Sequence, residues 1–209
     1  MRFPRRLAWL AALVPCSALA MAAITVQVGS IDGYGRIADS AALCAPAADG
    51  KSIGGQNIRP TIGWSAGPVG TRSYAILVTD PDVPADLSQA DKAAAPIEEN
   101  APRQLYYHWA LFNIPPGTTA LAAGPGAPAV GIAATNDVSP DKLAYGGPCP
   151  PWNDERLHHY HFTVYALDAN LPLAQGAIAR DVAAALAPHV LAKGEAVGTY
   201  STNPLLLHK

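Results

Sequence analysis

The chain is poor in charge, in windows long enough for extended helices, and in the signature motifs of common enzymes. Charged residues make up 14% of its 209 positions, against roughly 25% in an average soluble protein, and the formal net charge is -2. Without a basic patch or stripe there is no electrostatic footprint for a nucleic-acid partner. Twenty prolines and eighteen glycines, spread along the chain without an internal repeat, interrupt most windows before a long helix can propagate. No G-x-S-x-G elbow, no G-x-x-x-x-G-K phosphate loop and no H-E-x-x-H pair occurs, which removes the usual markers of serine hydrolases, nucleotide-binding loops and zinc peptidases. What is present is apolar: half of the residues, enough for one ordinary domain with a sizeable core.

At the N-terminus Arg2, Arg5 and Arg6 precede an apolar stretch from Leu7 to Ala20, followed by small residues. This is the grammar of a secretory signal peptide, and the stretch is shorter than the roughly 20 residues of a spanning helix. Residues 1–22 are therefore expected to be a removable leader, with cleavage after Ala20 or Ala22 and no transmembrane segment left. Residues 23–209 are expected to form a single mature domain, exported to the periplasm or secreted. Cleavage also removes Cys16. Cys44 and Cys149 then remain in an oxidising compartment, either as a disulfide or as two separate small apolar side chains.

Strands are predicted at Ile24–Gly29, Ser73–Thr79, Tyr106–Ile114 and His159–Leu167, each rich in β-branched or aromatic residues and bounded by Pro, Gly or Asp. Arg180–Lys193 is the one helical pattern, with Val182, Ala185, Leu186 and Val190 near 3.6-residue spacing and Pro188 placed to kink or divide it. The polar excursion after residue 84 and the Gly/Ala/Pro-rich stretch 117–143 are expected as surface loops able to carry function.

Alternation along a strand puts His158, Tyr160, Phe162 and Val164 on one face, the apolar one, and His159 and His161 on the other. The same rule aligns Tyr106 and His108 with Phe112 and Ile114. Two inward imidazoles at the early ends of two strands are the pattern of a pocket rim. Asp80 and Asp82, in the DPDVP segment that follows a strand, read as a proline-fixed turn carrying two carboxylates able to orient an imidazole or hold it charged. In YGGPCPP, residues 145–151, glycines allow close approach of backbone, and the amides of Gly146, Gly147 or Cys149 are candidates for an anion nest.

Four segments in this order, DPDVP, HWALFNIP, YGGPCPP and HHYHFTVYALD, together with NIRPTIGW, resemble the phosphatidylethanolamine-binding protein family, and specifically its bacterial Raf-kinase-inhibitor-like branch. The resemblance runs from about Asn57 to Tyr200. It implies an all-β, Greek-key β-sandwich with a peripheral C-terminal helix and a small anion pocket at one end for phosphate-containing, phosphatidylethanolamine-like head groups. Carried over residue by residue, it implies a ligand set of Asp80, Asp82, Tyr106, His108, Gly147, Cys149, Pro151, His158 and Tyr160. It departs from the family at Arg59, in the WNDERL segment after PCPP, and in the long excursion after DPDVP. A binding module, with a regulatory or inhibitor role of the family's kind, no cofactor and no readable protein-partner motif, is the leading expectation. The alternative is a phosphoester hydrolase or phosphoryl-transfer enzyme using the same His/Asp groups. A third reading takes His159 and His161 as an H-x-H metal pair, for which no third ligand is evident.

Overall fold

The computed structural model describes residues 22–93, 95–126, 128–138 and 142–207. The leader expected at the N-terminus falls, up to residue 21, outside the described residues. In chain order the strands are β1 (Ala22–Ala23), β2 (Val26–Val28), β3 (Cys44–Pro46), β4 (Ser52–Gly54), β5 (Ile62–Trp64), β6 (Ser73–Pro84), β7 (Arg103–Ile114), β8 (Ala120–Leu121), β9 (Ile132–Ala133), β10 (His158–Leu167) and β11 (Val190–Tyr200), with the helix α1 (Ala179–Leu186) before the last. The fold is mostly β with one short helix, as expected. The main sheet has the order β1-β11-β10-β6-β7-β9, a smaller one the order β2-β5-β8, and β3 and β4 form a hairpin of their own.

Alternating burial decides how the layers meet. Tyr74, Ile76 and Val78 of β6, and Tyr160, Phe162 and Val164 of β10, join Val28, Ile62, Trp64 and Leu121 of the small sheet in one core cluster. The opposite face of the main sheet carries Ala75, Leu77, Ala110, Phe112 and Leu167, which α1 covers with Ala179, Val182 and Leu186. Each fully buried large apolar side chain contributes about 1.5–3 kcal/mol by leaving water. The centre of the main sheet is thus apolar on both faces.

The helix is shorter than the predicted Arg180–Lys193. After Leu186 a 3-10 turn spans Ala187–His189, and Val190 begins β11, opposite Leu167. Pro188 has no amide hydrogen to continue the helical ladder, and Val190 finds a pairing partner in β10 instead of a place on a helical face. The helix is therefore not the last element of the chain. The DPDVP segment also departs from its turn reading. It continues β6, with Asp80 opposite Tyr106, Val83 opposite Gln104 and Pro84 opposite Arg103.

Two irregularities in the β6–β7 ladder shape the site. Register shifts between Asp80 and Val83, and between Val78 and Thr79, where Val78 faces Trp109 and Thr79 faces Tyr107. His108 is skipped in the ladder, so it sits at a bulge, and Tyr107 turns to the helix side while Trp109 turns to the inter-sheet core. The row predicted for Tyr106, His108, Ala110, Phe112 and Ile114 is consequently broken, since Ala110 and Phe112 face α1 and Ile114 faces the small sheet. Extra residues of this kind re-aim side chains. It is the bulge, not simple alternation, that aims His108.

Candidate functional site

Asp80 belongs to the inward row of β6 that includes Ile76 and Val78, and it lies where that row runs out of apolar residues. Its side chain is only 2% exposed. Oδ1 accepts the Asp82 amide at 2.7 Å, and Oδ2 accepts Nδ1–H of His158 at 2.7 Å. The other ring nitrogen of His158, Nε2, donates to Asp154 Oδ2 at 3.1 Å. Both nitrogens of this imidazole are therefore spent on carboxylates. Burial works against its charge, but the hydrogen bonds to Asp154 and Asp80 and the charge of both acids outweigh it and push His158 up to about 9. His158 is an imidazolium at neutral pH.

Asp154 is itself held by the fork of Arg103, with Nη1 at 2.5 Å from Oδ2 and Nη2 at 3.0 Å from Oδ1. Burial alone would raise this acid, yet the donors from His158 and Arg103 hold its carboxyl below the usual range. The line Asp80–His158–Asp154–Arg103 is a buried chain of alternating charge. Asp82 stands beside it and is tied elsewhere: Oδ1 accepts from Arg156 at 3.1 Å, and Oδ2 accepts the backbone amide of His159 at 3.0 Å and its Nδ1 at 2.9 Å.

His108 is oriented from the opposite side. Its Nδ1–H donates to the carbonyls of Gly146 at 2.9 Å and Gly147 at 3.2 Å, leaving Nε2 3.9 Å from Asp80 Oδ2. Burial holds its pKa below the ordinary histidine value, with the nearby His158 charge adding and the Asp80 charge opposing. A neutral ring with its proton on Nδ1 presents a lone pair at Nε2. Tyr160 packs edge-on to His108, with ring centroids 5.1 Å apart, and stacked on His158 at 6.4 Å. Its hydroxyl is sealed near Asp80 and the Cys149 backbone without a hydrogen bond of regular geometry.

The loop that supplies those carbonyls is fixed at several points. Gly146 donates to His108 O at 3.0 Å. Gly147 donates to Asn57 Oδ1 at 2.7 Å, while Asn57 Nδ2 donates to Tyr145 O at 3.0 Å. Cys149 is disulfide-bonded to Cys44 across 105 residues of sequence. A Cβ at position 147 would lie 2.0 Å from Ala41 O, so the loop packs against the chain there too closely for any side chain. Of the three amides expected as an anion nest, those of Gly146 and Gly147 point into the protein and are both taken, whereas Cys149 belongs to the lining of the cavity described next.

These groups open onto a cavity of about 230 Å³. Of the residues expected at a ligand, Asp80, Tyr106, His108, Cys149, Pro151 and His158 line it, whereas Asp82, Gly147 and Tyr160 stand behind the lining. Sequence reasoning missed the apolar wall of Val83, Leu87, Ala90, Val138 and Pro150, and missed Asp91 at the mouth. Leu87, Ala90 and Asp91 come from the excursion after β6, which is strapped down by Asn153: its Nδ2 donates to the carbonyls of Gln89, Lys92 and Ala95, and its Oδ1 accepts the Asp91 amide. Asn153 and Asp154 both belong to WNDERL, the segment set apart above as a departure, and no periodicity in the sequence announces their role. The outer-face histidines do not converge. His159 Nδ1 faces Asp82 and His161 Nδ1 faces Glu195, and among the described residues no group of three or more His, Cys, Asp or Glu is placed to hold a metal ion.

A β scaffold with a polar floor under a small, mostly apolar cavity is the anatomy of a small-ligand binding protein. The family model of the phosphatidylethanolamine-binding protein matches residues 40–201, and the chain belongs to that family. It is 35% identical over 150 residues, 70% of this chain and 84% of the relative, to a UPF0098 protein of Methanothermobacter thermautotrophicus. It is 34% identical over 149 residues, 71% of this chain and 63% of the relative, to LppC of Mycobacterium tuberculosis, which is named as a lipoprotein. Among solved structures it is similar to Escherichia coli YbcL, described as a member of the mammalian family, with a TM-score of 0.66 and 26% identity, covering 86% of this chain and 99% of that one. A homologue from Chlamydia trachomatis gives a TM-score of 0.63 at 26% identity, covering 86% of this chain and 97% of that one.

Proposed function

We propose that this protein is an exported binding module whose mature domain, residues 23–209, is a Greek-key β-sandwich that takes the phosphate-bearing head group of a small amphiphile into the cavity above Asp80. Family membership supports a binding role, and the lipoprotein name of LppC is compatible with export. Among the described residues no helix is long and apolar enough to cross a membrane. The observation that carries the reading is the single free imidazole nitrogen of the site, Nε2 of His108, directed at the cavity beside a buried acid.

That nitrogen donates to a phosphate oxygen only when protonated, and the fold keeps its pKa low. A phosphate therefore enters together with a proton, either on His108 or on the phosphate itself, and binding tightens as pH falls. Tyr106 supplies a hydroxyl, and Cys149 and Pro151 shape the wall. The hydrolytic alternative draws no specific support from this geometry, because the one imidazole with a free nitrogen has no serine, threonine or free thiol placed against it among the described contacts.

Calorimetric titration of inorganic phosphate and of phosphoethanolamine between pH 5 and 8 tests the proposal. Affinity is expected to rise on acidification in the wild type and to lose that dependence in His108→Gln. Absence of binding at every pH, by a protein that remains folded, overturns it.

A further inference from the structure

The two segments in which the chain departs from the family pattern, the excursion after DPDVP and WNDERL, are partners in the fold. From Ala85 to Ala93 the excursion has no buried side chain, yet Leu87, Ala90 and Asp91 form one wall of the cavity. Its two ends are firm. Val83 and Pro84 are buried in β6 and paired with β7. Ile97, 6% exposed, donates its amide to Asn153 O at 2.9 Å and accepts from the Glu155 amide at 3.0 Å.

Between those ends one buried amide does the holding. Asn153 Nδ2 reaches the carbonyls of Gln89, Lys92 and Ala95 at 2.8, 3.1 and 2.7 Å, and its Oδ1 accepts the Asp91 amide at 2.9 Å. An asparagine amide has two donor hydrogens and one acceptor oxygen, so this whole side chain is committed to the excursion. Among the described residues, the other hydrogen bonds of residues 86–93 stay inside the excursion, except that the Trp152 amide donates to Asp91 Oδ1 at 3.1 Å. Asp91 itself has a φ of 59°, in the left-handed region that disfavours residues with a side chain. The facing walls are built differently. Asp80, Tyr106, His108 and His158 stand on ladder-paired strands, and Cys149 to Pro151 are fixed by the disulfide and by Thr202 Oγ1, which donates to Pro150 O at 2.8 Å.

We propose that residues 85–93 are a lid on this cavity, latched by Asn153, and that release of the latch sets the rate at which a ligand enters and leaves. This rests on the reading that the cavity is the ligand site and adds how access to it is controlled. A segment with little apolar burial opens locally at far lower cost than the sheet beneath it, and lids of this kind govern exchange with solvent. When the latch lets go, Leu87 and Ala90 leave the wall and Asp91 is freed from its left-handed backbone, while Val83 and Ile97 stay in place as the two hinge ends. The floor keeps its geometry. Neither Asp80, His108 nor His158 is hydrogen-bonded to any residue of the lid.

The test compares the wild type with Asn153→Ala by amide hydrogen exchange, by trypsin cleavage of the Lys92–Ala93 bond, and by the kinetics of phosphoethanolamine exchange read from the line shapes of the His108 ring signals. In the wild type the Asp91 amide is expected to exchange through a local opening that low urea leaves unchanged, whereas the paired amides of β6 and β10 follow global unfolding. In Asn153→Ala, cleavage after Lys92 and the rates of phosphoethanolamine binding and release are each expected to rise about tenfold or more, with the dissociation constant moving less than about threefold. A wild-type Asp91 amide that exchanges only by global unfolding overturns the inference, whatever the variant does. Unchanged binding and release rates in a folded Asn153→Ala protein also overturn it, and either result leaves the binding-module reading standing. No binding of phosphoethanolamine by either folded protein overturns both.

Discussion

Replacing Asp154 with asparagine tests the buried charge chain. In the wild type, His158 rises from an ordinary value of 6.5 to about 9 because Asp80 and Asp154 outweigh the cost of burial. At about 1.4 kcal/mol per tenfold change in proton affinity, that rise corresponds to about 3 kcal/mol of folding free energy. A folded-state pKa above the unfolded one means that the contribution is fully present below pH 6.5 and is lost as pH climbs to about 9. In Asp154→Asn the side chain that received Arg103 and His158 becomes an amide of no charge, and the guanidinium and imidazolium are left short of an anion in a site 1% exposed at position 154. Breaking one member of such a buried set costs about 3–5 kcal/mol. Urea unfolding followed by tryptophan fluorescence at pH 6.5, 7.5, 8.5 and 9.5 reads both effects. The wild type is expected to lose about 3 kcal/mol across this range, whereas the variant starts lower and loses less than half as much. Parallel curves for the two proteins would refute the assignment of the proton to His158. Below pH 6.5 His108 acts in the opposite sense to a stabilising proton: its pKa is depressed by folding, so the unfolded chain takes the proton first and acid destabilises the native state.

Other expectations follow from the loop that orients His108. Gly147→Ala places a methyl group 2.0 Å from Ala41 O and 2.9 Å from Leu43 N, so the loop must move; the variant should lose both stability and the pH dependence of ligand binding, checked by thermal melting and the phosphate titration. Reducing the Cys44–Cys149 bond, which closes a loop of 105 residues, should lower stability by about 4–5 kcal/mol in the chain-entropy account, read as a drop in urea midpoint between oxidised and reduced protein or in Cys44→Ser.

Much of the site was legible because strands impose a two-residue period. His158 and Tyr160 follow from the apolar row of Phe162 and Val164, and all four are buried as alternation requires. His108 reached its inward position by a different route, a bulge that no periodicity announces, so its pairing with Phe112 in one row was wrong although the ring does face the cavity. DPDVP read as a turn because Asp and Pro favour turns for local reasons; pairing with β7 overrides that preference and extends the strand. The helix was overextended for the same kind of reason, since Val190 fits a helical spacing and a strand equally well until β10 lies beside it. Asp154 and Arg103 were invisible as partners because they are 51 residues apart and only the fold joins them. The two glycine amides were misjudged on a point of accounting: a glycine-rich loop reveals that its backbone approaches something closely, and for Gly146 and Gly147 the close partners are Ala41, Asn57 and His108 rather than a ligand.

Arg103 spends its whole fork at once. Beyond Asp154, it donates to the carbonyls of Asp82, Glu98 and Ala101, at 2.9, 2.8 and 3.1 Å, so one planar cation both balances the acid under His158 and pins the return of the excursion to the sheet. A lysine at this position keeps the formal charge but offers a single point where the fold uses several directions. Substitution there would loosen the return of the excursion to the sheet even with the electrostatic balance preserved, and the two most similar cationic residues are, at this one position, not interchangeable.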